Sequence, residues 1–489
     1  MSLRHSRRRT VRRVLVAAVI AAATGGMTAC STTLTGTPVS VFADPFRVGG
    51  MEAIDGPTGL RPDAKEPSRD IEGTDGGQID EIAGQSISDI EEYWTSVFSE
   101  TFAGEFRPVS TLISWDAKDY DGSFCDMDTY AFSNAGFCAL DRSVGWDRGL
   151  LLPSLQRAGG DMAITMVLAH EYGHSIQRQA KLNKRGTPVL VTEQQADCFA
   201  GGYMRWVAED NSDRFTLSTG DGLNNLLAGM ILFRDPLLSE EDIYGGGDEH
   251  GSAFERISAF QFGFTDGPSA CAAIEAGEVA QRRRDLPFEL QGDQTGEWPV
   301  SEDSARAVVD AMTILFAPRN PPMLSFDARS AGTCADARPS PPVSYCPTTN
   351  TLAVDLPALK ALGAVSDDDE FSPALTGDNT AYSVLMSRYM LAVQQDKGGL
   401  TLNNAAAGLR TACLTGVATT KLTRQVDTPG GDTVALSAGD LDEAVAGLLT
   451  NGLAAGDVNG EAVPAGFSRI DAFRLGVLGD EDRCLRRFP

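Results

Sequence analysis

Two histidines four residues apart, His170 and His174, sit at the end of an apolar run and constrain this chain more than anything else in it. The run from Asp161 to Ala169 reads as a helix entered at Asp161. Residues four apart share one face of a helix, so both imidazoles point the same way and can grip one metal ion. Glu171, one residue round, is placed to take a proton from a water on that metal. Chance would produce this pattern on the order of 0.002 times in a chain that has only 4 histidines. His5 lies in a segment expected to be removed, which leaves His170, His174 and His250 for the mature chain.

The H-E-x-x-H pattern is a zinc-protease signature, and its chemistry needs a third ligand from elsewhere. Pro188 breaks the chain ahead of a second helical stretch, Glu193 to Trp206. Glu193 and Asp197 fall four apart on it and share a face. We assign Glu193 as the third ligand. Asp197 is the carboxylate expected to orient a ligating imidazole through its other ring nitrogen.

Three stretches together carry a resemblance: His170-Glu-Tyr-Gly-His-Ser-Ile-Gln177, Glu193-Gln-Gln-Ala-Asp-Cys-Phe-Ala-Gly201, and His250-Gly-Ser-Ala-Phe-Glu-Arg256. They resemble the bacterial predicted neutral zinc metallopeptidase family, of the gluzincin type, in which a Glu on a second helix completes the site. Ile90 to Trp94 and Phe137-Cys138 fit the same family, so the likeness covers roughly residues 86 to 275. The resemblance implies that His170, His174 and Glu193 bind one Zn2+ per chain, that Glu171 is the general base, and that His250 stabilises the oxyanion. The implied substrate is a peptide or protein.

The chain begins with an export signal. Six arginines between Arg4 and Arg13 precede a short apolar stretch, Val14 to Ala23, too short to span a bilayer. Met27-Thr-Ala-Cys30 resembles a lipoprotein cleavage box with Met in place of the usual Leu, so Cys30 would carry the lipid. The expected location is the extracytoplasmic face of the cell membrane. Losing residues 1–29 removes six arginines and no acid, leaving 35 basic against 67 acidic residues, a net charge of −32. Such a surface disfavours nucleic acid as a partner. Residues 30–85, rich in Gly, Pro, Ser, Thr and Asp, read as a flexible spacer, with helical periodicity starting only near Ile87.

The second half repeats the first. Arg256-Ile-Ser-Ala-Phe-Gln-Phe-Gly263 recurs as Arg469-Ile-Asp-Ala-Phe-Arg-Leu-Gly476, and Gly160-Asp161 through Val167-Leu168, Tyr172 and Gln177 recurs as Gly377-Asp378 through Val384-Leu385, Tyr389 and Gln394. Ala196 to Gly201 recurs loosely as Thr411 to Gly416. The positions of His170, Glu171 and His174 hold Ser387, Arg388 and Leu391; those of Glu193, Asp197 and His250 hold about Gly408, Ala412 and Val463. Every proposed ligand and catalytic group is therefore missing from the second copy. Arg256, kept there as Arg469, is expected to be structural.

Beyond Cys30, 8 of the 9 cysteines remain, an even number in an oxidising setting. The repeat restricts their pairing to Cys125–Cys138 and Cys198–Cys271, with Cys334–Cys346 and Cys413–Cys484 as counterparts. A zinc-thiolate role for Cys198 is disfavoured because the copy without zinc ligands keeps Cys413.

The expected fold is mainly α with a few short strands (α+β), as two tandem zincin-like domains of which the second lacks the zinc site. Residues 86–280 form the metallopeptidase domain, 281–300 a linker and 301–489 the inactive copy. Thr111 to Trp115 and Ser143 to Trp146 are the candidate strands for holding an extended substrate beside the metal. The expected activity is peptide-bond hydrolysis by a membrane-tethered enzyme. The rival readings are a cell-surface binding or scaffold protein with a structural zinc, and a zinc amidase acting on the cell wall.

Overall fold

The apolar run ahead of the paired histidines continues through them as one helix. A computed structural model describes residues 44–119, 122–239, 250–290, 296–365 and 375–489. The expected signal segment and Cys30 lie outside the described residues. Helix α3, Asp161–Ala180, starts at the residue expected, with α2, Leu151–Gly159, just ahead of it. Asp161 itself accepts from Gln156 Nε2 at 2.9 Å, and so ties the two helices together.

Helix α1 spans Gln78–Thr101 and begins well before Ile87. Its early turns bury polar rather than apolar side chains, which hides the helical period. Each of these finds a partner, as burial demands. Asp80 accepts from Ser114 Oγ at 2.7 Å and Trp146 Nε1 at 2.8 Å. Asp89 accepts from Tyr203 at 2.7 Å and Ser212 at 2.8 Å.

Against α1 lies a four-stranded sheet built from β1 (Ile71–Glu72), β2 (Leu112–Trp115), β3 (Ala135–Phe137) and β4 (Val144–Asp147). Its order is β1-β2-β4-β3, with β1, β2 and β4 parallel and β3 antiparallel to β4. The strand β1 corrects the expectation of a spacer over 30–85 for its described part, residues 44–85. Residues 44–77 are laid onto the body: Gly59–Leu60 pairs with Phe215–Thr216, and Arg69 Nη1 reaches Glu91 Oε1 at 2.7 Å. Their Gly- and Asp-rich composition serves short paired strands and turns.

Helix α4, Val189–Ala208, crosses α3, and α6, Ala253–Asp266, crosses α4; α5, Asp221–Ile231, lies between these two in the chain. The crossing of α4 and α6 is so close that a Cβ on Gly263 would stand 1.7 Å from the carbonyl oxygen of Cys198. Cys198 is bonded to Cys271, in the short helix Pro268–Ala272 that follows α6, which ties that segment to α4. A crosslink across 73 residues contributes about 4 kcal/mol by restricting the unfolded chain.

The second half follows the same sequence of elements: α7 (Glu302–Phe316), β5 (Met323–Ser325), β6 (Val343–Cys346), β7 (Thr351–Val354), α8 (Leu356–Leu362), α9 (Asp378–Lys397), α10 (Ala405–Lys421), α11 (Asp440–Thr450) and α12 (Gly466–Val477). Its sheet has the order β5-β7-β6, with β5 parallel and β6 antiparallel to β7, matching β2-β4-β3. Here a Cβ on Gly476 would stand 1.8 Å from the Cys413 carbonyl, and Cys413 is bonded to Cys484. Cys125–Cys138 and Cys334–Cys346 complete the four disulfides, all in the pairing the repeat gave. The described residues of both halves fall in one compact unit, and one continuous apolar core runs through it.

Replacing Gly263 or Gly476 with Ala forces apart two helices whose backbones touch. Each substitution is expected to cost about 3 kcal/mol in urea unfolding, the upper range for overpacking. Wild-type stability in both variants would contradict the crossing geometry.

Candidate metal centre

Helices α3 and α4 meet face to face where Gly173 separates the two histidines. A side chain at Gly173 would crowd Ala196, whose Cα is 3.0 Å from the added Cβ. This contact lets α4 bring its carboxylates up to the imidazoles. The rings of His170 and His174 stand perpendicular with centroids 5.1 Å apart. Glu193 Oε2 lies 3.1 Å from His170 Nε2, and its Oε1 lies 3.6 Å from His174 Nε2. One ligand atom from each of the three falls within 4.8 Å of the others.

The donor set and its spacing suit zinc. Two imidazoles and a carboxylate form a nitrogen and oxygen set typical of that ion. Bonds of about 2.1 Å in a tetrahedron separate neighbouring ligand atoms by about 3.4 Å. The distances found, 3.1 and 3.6 Å, bracket that value.

Behind these three side chains stands a buried chain of hydrogen bonds. His170 Nδ1 donates to Asp197 Oδ1 at 2.8 Å, which fixes the tautomer and leaves Nε2 free to ligate. Asp197 has no exposed surface. Arg256 clasps it with two bonds, Nε to Oδ2 at 2.9 Å and Nη2 to Oδ1 at 2.8 Å, and its Nη1 donates to the Phe233 carbonyl at 2.5 Å. Arg256, expected to be purely structural, thus reaches into the site. On the other side, His174 Nδ1 faces Gln177 Oε1 at 3.2 Å.

A pocket of about 180 Å³ opens over these groups and is lined by His170, Glu171, His250 and Arg256. Its apolar lining includes Met166, Met230 and Phe233, and Asn134 and Ala135 line it as well. His250 Nδ1 lies 3.2 Å from Asp235 Oδ1, and Asp235 Oδ2 accepts the Gly251 N–H at 2.7 Å. Sequence reasoning did not reach Asp235, Gln177 or the clasp by Arg256. Gln177 and Arg256 recur as Gln394 and Arg469 and so looked like fold residues, while nothing in the local pattern marks Asp235. The expected substrate strands also need correction. Residues 112–115 and 144–147 form β2 and β4, which are internal; of the two edge strands, β3 is the one beside the pocket.

Charge is tightly coupled here. Burial works against an imidazolium at His170, but Asp197 and Glu193 outweigh it and push the ring up to about 10. Burial likewise works against ionised Glu193, yet His170, His174 and His250 hold it down at about 2. Hydrogen bonding to Asp235 raises His250. A proton on His170 Nε2, facing Glu193, therefore stands where a metal cation would bind.

A family model described as "Putative neutral zinc metallopeptidase" matches residues 19–274, just over half of the chain. Among curated relatives, the uncharacterized proteins Rv2575 of Mycobacterium tuberculosis and Mb2605 of Mycobacterium bovis are each 27% identical over 208 residues. The aligned part is 38% of this chain and 68% of each of theirs. No solved structure matches.

Since His170 keeps its proton up to about pH 10, a metal must displace it. The sign follows directly: below that pH proton and metal compete, so raising the pH favours the metal. Zinc uptake at pH 7.5 is expected to release about one proton, and affinity to rise about tenfold per pH unit between about pH 7 and 9. Calorimetry in buffers of different ionisation enthalpy checks this; uptake without proton release would contradict it.

Proposed function

Since the chain belongs to the neutral zinc metallopeptidase family, we propose that it hydrolyses peptide bonds at a zinc ion held by His170, His174 and Glu193. The observation that carries this reading is the convergence of those three ligand atoms in front of the Asp197–Arg256 pair, beside an open pocket. Held by His170, His174 and Glu193, zinc would supply Lewis acidity toward the scissile carbonyl and the attacking water. Glu171 lines the same pocket and acts as general base: it takes a proton from the attacking water and passes it to the leaving amine. His250, with Nδ1 committed to Asp235, turns its remaining nitrogen to the developing oxyanion.

The substrate is held from two sides. The free edge of β3 offers backbone groups for an extended peptide, and the apolar wall of Met166, Met230 and Phe233 takes a hydrophobic side chain next to the scissile bond. Both features favour an unfolded or extended segment of protein as substrate.

The second half is a duplicated domain without catalytic power. Its strand order, disulfides and close helix crossing support the duplication. Where Glu171 stands in the first copy, Arg388 is fully buried and donates to the carbonyls of Val343, on the edge strand β6, at 3.0 Å and of Leu453 at 3.1 Å. Those bonds close the counterpart of the substrate cleft. Export through residues 1–29 and a lipid on Cys30 belong to the same reading and rest on the sequence; among the described residues no helix is long and apolar enough to cross a membrane.

Glu171→Gln is the deciding variant. It should keep its zinc and lose at least about 100-fold in kcat on a casein or peptide-library substrate that the wild type cleaves. Undiminished turnover would remove Glu171 from the role, and a scaffold protein would show its binding unchanged by the substitution.

A further inference from the structure

The two halves meet through corresponding elements, α5 and α6 of the first against α11 and α12 of the second. Each half caps a helix of the other. In one direction, Asn224 of α5 accepts the N–H of Gly466, the first residue of α12, at 2.9 Å. In the other, Asp442 of α11 accepts the N–H groups of Ala253 at 3.1 Å and Phe254 at 2.9 Å, the first two residues of α6. Asn224 and Asp442 come from the first turn of corresponding helices, as in an isologous pair of subunits.

The reciprocity is uneven in charge. The first turn of α6 leaves N–H groups without helical partners. Ser252 of the same half takes only that of Glu255, and Asp442 takes two more. A buried carboxylate suits a helix N-terminus, where its charge meets the helix dipole. On α12 the matching cap is a neutral amide. The difference follows what each helix carries. Arg256, in the first turn of α6, clasps Asp197, which holds His170. Arg469, its counterpart on α12, has no such carboxylate, since Ala412 stands where Asp197 would.

We propose that Asp442, in the half without zinc ligands, is a positioning residue of the metal centre in the other half. It pins the first turn of α6, and through that turn sets Arg256, Asp197 and the ring of His170. The silent copy is then a working part of the site, although it touches neither metal nor substrate. The inference rests on the zinc reading above.

The test uses the full chain and the metal alone. Zinc affinity is measured by chelator competition, and the visible spectrum of the Co2+-loaded protein reports ligand geometry. Asp442→Ala is expected to weaken zinc binding about tenfold, the low end for residues behind a ligand, and to change the cobalt spectrum. Asp442→Asn, which keeps one acceptor oxygen, should recover part of the affinity, and it carries the test if the alanine variant does not fold. Asn224→Ala removes the matching cap from the silent half; it should lower the melting temperature while leaving zinc affinity within about twofold and the spectrum unchanged. Asp442 variants with wild-type zinc affinity and spectrum, or equal losses in the Asp442 and Asn224 variants, would overturn the proposal. Wild-type protein that takes up no zinc would instead sink the metal reading, and this inference with it.

Discussion

The carboxylate of Asp197, buried between the guanidinium of Arg256 and the imidazole of His170, is the contact on which the site depends. Burying a carboxylate without partners would neutralise it or unfold the surroundings. With Arg256 on one side and His170 on the other it stays ionised, held below the usual carboxylate range against the opposing effect of burial. A buried pair of this kind adds little to stability compared with an apolar pair of similar size. What it adds is geometry. Two bonds from Arg256 fix the plane of the carboxylate, the carboxylate fixes the ring, and the ring presents Nε2 toward Glu193 and His174.

The second half shows what is left when that carboxylate is absent. Arg469 keeps its place on α12, but its Nη2 finds only the carbonyls of Leu449 at 3.5 Å and Pro464 at 3.4 Å, and Nε is left without a partner. Burial draws its guanidinium down to about 10, so it remains charged at neutral pH in a place that gives that charge little. An arginine kept without its partner agrees with the duplication proposed above and with the neutral cap at the start of α12. The interface between the halves could stay nearly symmetric because its helix crossings and caps serve the fold. Only the charged cap on α6 leads on to chemistry.

Much of the site was legible because helical geometry maps sequence spacing directly onto space. His170 and His174, then Glu193 and Asp197, each lie four apart on helices that face one another, so the candidate ligand set followed from periodicity. The disulfides were legible for another reason: the repeat reduced many pairings to one that both halves could share. The start of α1 was hidden because Asp80, Gln85, Ser86 and Asp89 point into the core and meet polar partners far along the chain. Residues 44–77 looked like a spacer because strands of two residues carry no period. Asp235 and Asp442 act across 15 and about 190 residues of sequence, and no local pattern records such contacts.

One scaffold thus gives either a site or a plug, according to a few side chains on one helix face. In α3 the face toward the edge strand carries Glu171 and leaves a pocket above it. In α9 the same face carries Arg388, whose guanidinium bonds the edge strand where a substrate backbone would lie. Leu391 in place of His174 adds apolar packing to that closure, and both side chains are fully buried. In the second half the space that corresponds to the pocket is lined by none of the candidate ligand residue types. Arginine and leucine fill it, and the filled half offers its partner a rigid surface against which α6, and with it Arg256, is held.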